Sequence, residues 1–110
     1  MNKVLSLLIL CVYSISFQAY GQCTASHCTG AVKTIYVGSE ATYIEMDQDM
    51  SKLNCNLLSG QYLTLKNTHT NRDTVFLTLL AAHTAKSQKV SVRVVEETDD
   101  CQVSYVVSRH

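Results

Sequence analysis

Five cysteines, four histidines, six tyrosines and a scatter of carboxylates are the side chains of this 110-residue sequence that could carry chemistry. Cys23-Thr-Ala-Ser-His-Cys28 sets two thiols and an imidazole close together, as a metal ligand group if reduced or a small covalent loop if oxidised. No second Cys/His pair of matching spacing follows, which favours the loop and argues against a metal. His83 falls on the apolar arc of a predicted helix. General acid–base work there would need His69 or Asp73 as its partner; alone, His83 reads as a hydrogen-bonded histidine in the core or at a subunit contact. His27 and His110 fall in a predicted loop and at the terminus, where solvation is the default. Asp47-Gln-Asp49-Met-Ser51 opens like a calcium loop, but Lys52 stands where that loop requires glycine. The sequence has no G-x-S-x-G elbow, no H-E-x-x-H and only four glycines for any phosphate-cradling loop. It assembles no catalytic constellation, and neither an enzymatic activity nor a cofactor is expected.

Binding chemistry is better supplied. Tyr36, Tyr43, Tyr62 and Tyr105 all fall on or beside predicted strands, with Phe76 on the helix. A tyrosine joins a flat apolar face to a hydroxyl, so strand tyrosines are the candidate platform for a sugar or a peptide. Nucleic acid is not an expected ligand, because nine basic groups balance nine acidic ones and no basic groove is in prospect.

The N-terminus sets the compartment. Lys3, the short apolar run Val4–Val12 and the small residues Ala19 and Gly21 form the layout of a signal peptide over residues 1–21. The run is well short of the ~20 residues a membrane span needs. Cleavage after Gly21 removes Lys3 and Cys11, leaving residues 22–110 with a net charge of −1 and four cysteines. An even number of cysteines in a small secreted or periplasmic domain reads as two disulfides. Cys23, Cys28, Cys55 and Cys101 allow three pairings; the favoured one closes the short Cys23–Cys28 loop and ties Cys55 to Cys101 across the core.

The elements that must position these groups follow from hydrophobic period. Strands are predicted over 30–37, 40–47, 61–66, 89–95 and 101–107, with a hairpin turn at Gly38-Ser39. In the last strand Cys101, Val103, Tyr105 and Val107 alternate onto one face. Between the third and fourth strands, Asn71 begins a helix over 72–85. Its apolar residues run nearly all round, so Leu77, Ala81 and His83 are candidates for a contact with a second subunit. Strand-strand-strand-helix-strand-strand is the order of a five-stranded OB-like Greek-key barrel; an open α+β sheet is the alternative. Residues 22–110 are read as a single domain.

Gly30-Ala-Val, Cys55, Tyr62-Leu63-Thr64-Leu65, Leu79-Leu80-Ala81-Ala82, Lys89-Val90-Ser91-Val92 and Cys101-Gln-Val-Ser-Tyr105 together resemble a group of small secreted bacterial proteins of largely unknown function. More distantly, the element order resembles the binding subunits of pentameric bacterial toxins of the subtilase-cytotoxin and heat-labile-enterotoxin types. That resemblance implies an OB-fold, assembly as a homo-oligomeric ring and recognition of a glycan or a protein on a cell surface. It carries over no sugar-contacting motif residue by residue, so it speaks to fold more than to function. A structural or inhibitory protein is the alternative role, with a small hydrolase using His83 behind both.

Overall fold

The structure, a computed structural model, describes residues 21–110; of the expected signal peptide only Gly21 is among the described residues. These residues form seven strands and one α-helix: β1 (Gln22–Cys23), β2 (His27–Gly30), β3 (Val32–Val37), β4 (Ala41–Met46), β5 (Leu63–Lys66), α1 (Arg72–Thr84), β6 (Val90–Val94) and β7 (Val103–Ser108). The fold is mainly β, with two antiparallel sheets ordered β1-β2-β6-β7 and β3-β4-β5. Five predicted strands have become seven. Part of the reason lies at Gly30-Ala31. Gly30 takes φ +156°, and the chain leaves one sheet and enters the other with only Ala31 between them. The first predicted strand therefore serves both sheets. β1 and β2 replace the predicted N-terminal loop, and His27 lies in β2 rather than in a loop.

Alternation fills the core as the pattern requires. Val90, Val92 and Val94 of β6 point inward and are buried, as are Leu63 and Leu65 of β5 and Ile44 and Met46 of β4. β-branched side chains suit such half-buried pleated surfaces. Helix α1 lies against β3, β5 and β7 and so spans both sheets, burying Val75, Leu79 and Ala82.

Two features position the helix. Asn71 is its N-cap but makes no side-chain capping bond; instead the Asn71 N–H donates to His69 Nδ1 at 2.9 Å. Accepting at Nδ1 leaves the proton on Nε2, which donates to the Ser104 carbonyl at 2.7 Å and ties the helix entry to β7. At the other end Lys86 adopts φ +55°, and the amides of Lys86 and Ser87 return to the carbonyls of His83 and Ala82. This is a Schellman closure built on a non-glycine residue.

Cys23 is bonded to Cys28 and Cys55 to Cys101, with Cα separations of 4.0 and 5.0 Å. The second bridge fastens the loop before β5 to the approach of β7. Asp49 caps a 3₁₀ turn at Met50–Lys52, its carboxylate accepting from the Ser51 hydroxyl at 2.6 Å and the Ser51 N–H at 3.1 Å. Those two bonds, the hydroxyl first, hold its pKa below the ordinary carboxylate value. The calcium-like stretch is thus the cap of a short turn.

Candidate functional site

Register decides which tyrosines meet. Tyr36 lies opposite Tyr43, and Tyr43 opposite Thr64, so one row crosses β3, β4 and β5. The inward neighbours of this row, Ile44, Leu63 and Leu65, fill the core, which turns the row to the opposite face. Tyr62 stands just before β5, where its carbonyl accepts from the Leu58 N–H. Its ring lies 6.2 Å from the rings of both Tyr36 and Tyr43, which are 5.5 Å from each other. All three pairs are tilted or edge-on, the arrangement that aromatic quadrupoles favour. Tyr36 is 55% exposed.

Beside the rings a cleft of about 380 Å³ opens, lined by Glu40, Ala41, Tyr43, Thr64, Lys66 and Asp100 among others. Its size falls within the range of sites that hold small molecules, about 300–1,000 Å³. Lys66 reaches Asp100 at 3.9 Å, a loose and partly exposed pair. Two carboxylates against one ammonium leave this wall acidic, which suits hydroxyl donors and disfavours anions. Thr64 is only 4% exposed, yet its hydroxyl has no hydrogen-bond partner. A buried orphan of this kind costs stability, so its presence calls for an explanation. The same residue's N–H donates to the Cys101 carbonyl at 3.0 Å, and Cys101 itself holds φ +50°. The bridge at Cys101 thus fixes the Asp100 side of the cleft.

Of the four predicted ligand tyrosines, the structure brings three together. Tyr105 lies on the other sheet. A β-bulge at Ser104 sets Arg93 opposite Tyr105 and Val94 opposite Val103, so the alternation of β7 changes phase. Cys101 and Val103 stay buried while Tyr105 is 48% exposed, with Arg93 6.0 Å above its ring. The proposed common face of Cys101, Val103, Tyr105 and Val107 is therefore divided.

The candidate contact residues on α1 divide too. Leu77 is 60% exposed, Ala81 is exposed beside it, and Leu80 adds to the patch. His83 is part-buried, with Nδ1 3.0 Å from the Val32 carbonyl, and belongs to the inner side. Six residues at about 100° each put it roughly 120° round the helix from Leu77. Nor does His83 meet its supposed catalytic partners. Asp73 sits in the first turn and His83 in the last, about 15 Å apart by helical rise. His69 is committed to Asn71 and Ser104. The oxidised Cys23–Cys28 pair supplies no thiolate beside His27.

The sequence marks none of Lys66, Asp100 and Glu40 as a site residue, and gives Thr64 only within the stretch Tyr62-Leu63-Thr64-Leu65. Their signal is three-dimensional, since β5 and the turn before β7 are far apart in the chain. Compared with known proteins, the chain matches no protein-family model, no curated protein and no solved structure.

Proposed function

We propose that this protein is an exported, non-enzymatic binding module whose ligand is an uncharged glycan. The observation that carries this reading is the cluster of Tyr36, Tyr43 and Tyr62 rings, within 5.5–6.2 Å of one another, beside a cleft of about 380 Å³ that Tyr43 helps to line. Tyrosine rings stack on the apolar face of a pyranose, while the cleft offers carboxylates, an ammonium and hydroxyls to its hydroxyl groups.

The fold supports the same reading. The two sheets are joined through Ala31 on one side and through a parallel bridge between Thr64 and Gln102 on the other. This double joining favours an OB-like barrel, whose strand face and loops commonly bind saccharides, and it agrees with the resemblance to toxin binding subunits. Two disulfides suit a secreted or periplasmic location. Among the described residues, no helix is long and apolar enough to cross a membrane.

The test is a glycan array probed with residues 22–110, both disulfides formed, alongside Tyr36→Ala and Tyr62→Ala. Binding to neutral glycans that both variants abolish supports the reading; a blank array with folded protein overturns it. A second reading rests on Leu77, Leu80 and Ala81, whose exposure favours a protein contact, either a second copy of the chain or another partner. Light scattering and pull-down with Leu77→Asp would report on that surface.

A further inference from the structure

A second cleft, of about 190 Å³, lies on the other sheet, lined by His27, Ser91, Arg93, Tyr105, Val107 and Arg109. Strand register builds it. His27 of β2 is opposite Arg93 of β6, and Arg93 is opposite Tyr105 of β7, so the three form one row across the sheet. Arg109 follows β7, where its N–H donates to the Lys89 carbonyl at 2.9 Å.

The chain has only three arginines, and two of them meet here. Arg72, the third, pairs with Asp73. Arg93 and Arg109 form no salt bridge among the described residues, and the cleft wall contains no carboxylate. This is the reverse of the tyrosine-side cleft, where two carboxylates outnumber one lysine. In a chain without a basic surplus, two unpaired guanidinium groups on one depression form a local positive field. His27 adds a donor. Thr24 Oγ1 and Ser26 Oγ lie 3.1 and 3.2 Å from its Nδ1, and a hydroxyl donating there leaves the ring proton on Nε2.

We propose that this cleft is an oxyanion subsite, which takes the carboxylate or sulfate group of a small acidic ligand between Arg93 and Arg109. Planar guanidinium groups match such oxygens with paired hydrogen bonds. The volume lies below the ~300 Å³ at which drug-sized sites begin, so the cleft fits one charged group rather than an extended ligand. Both arginines are exposed, and salt weakens the interaction.

The test is an amide-shift titration of disulfide-bonded residues 22–110 with sodium sulfate, sodium glucuronate and methyl glucoside at low salt. The expected result is saturable shifts at His27, Ser91, Arg93 and Tyr105 with either anion, weakening as sodium chloride is added, and none with the neutral glucoside. Response to glucuronate alone identifies a carboxylate site, and response to both identifies a general oxyanion site; each supports the proposal. Arg93→Gln with Arg109→Gln should lower affinity at least about tenfold while the thermal melt is retained. Lys33→Gln, which removes one positive charge on the other sheet, should leave affinity unchanged. Absence of saturable shifts, an equal response to the glucoside, or an equal loss in Lys33→Gln would overturn it. A blank glycan array with intact anion binding would remove the tyrosine-side reading and leave this one standing.

Discussion

Tyr36 and Tyr43 face each other across the β3–β4 ladder with ring centroids 5.5 Å apart, on the side of the sheet turned away from the core. Cross-strand aromatic pairs stabilise by about 0.5–1.5 kcal/mol beyond area burial. Tyr36→Ala should therefore cost that pair energy plus the burial of a half-exposed ring, about 1–3 kcal/mol in all in urea unfolding, yet remove most glycan affinity. A large loss of stability would assign the ring to packing instead.

Thr64→Val should invert the usual relation between burial and damage. Valine keeps the β-branched shape and deletes an unpartnered buried hydroxyl, so stability should hold or rise by about 1 kcal/mol. Glycan affinity should be unchanged in the same variant, because the buried hydroxyl is closed off from the cleft. Urea midpoints and array intensities measured side by side decide it, and a destabilised variant would mean that the hydroxyl has a structural partner.

Helix α1 should respond to truncation by face. Leu79 is fully buried, and Leu79→Ala should cost about 2–5 kcal/mol. Leu77 is exposed, and Leu77→Ala should fall within about 0.5 kcal/mol in the monomer. If the exposed patch joins two copies, Leu77→Asp will lower the mass seen by light scattering without moving the monomer's unfolding midpoint.

The two bridges should differ in weight. They close separations of 5 and 46 residues. The chain-entropy relation gives about 2 kcal/mol for the shorter and about 4 kcal/mol for the longer. Paired Cys→Ala replacements, compared by denaturant midpoint, should rank in that order.

Acid should act on Asp49. Its folded-state pKa is lowered, so its contribution is complete above the ordinary carboxylate pKa of about 3.9 and disappears as pH falls through the lower folded value. The gap in urea midpoint between the native chain and Asp49→Ala should therefore be present at neutral pH, narrow below about pH 4 and close as pH falls past the lowered folded value. A gap that persists in strong acid would show that the turn does not depend on the charge.

Much of the scaffold is legible in the sequence because burial imposes a period. Val90, Val92 and Val94, or Leu63 and Leu65, announce their faces. The two strands at 22–30 do not, since Thr, Ser, His and Cys there alternate in no hydrophobic sense and pairing with β6 decides their state. The bulge at Ser104 is silent too. A one-residue insertion leaves composition untouched yet turns Tyr105 away from where strict alternation puts it. His69 serves the helix entry through a hydrogen bond to a distant strand, which no local capping rule encodes. The candidate binding faces belong to the same class: Tyr36, Tyr43 and Tyr62 are visible as residue types, whereas their convergence, and the place of Tyr43 on one cleft with Thr64 and Asp100, depend on register and on the bridge at Cys101.

Cys101 joins three things at one residue: the long covalent bridge, a left-handed backbone turn, and the carbonyl that receives the Thr64 N–H. Its neighbour Asp100 forms part of the cleft wall. Opening that sulfur–sulfur bond would release the wall together with the fold's longest cross-link. On the proposed reading, ligand recognition would be coupled to oxidation, and a reduced copy of the chain would carry the tyrosines without a completed receptacle beside them.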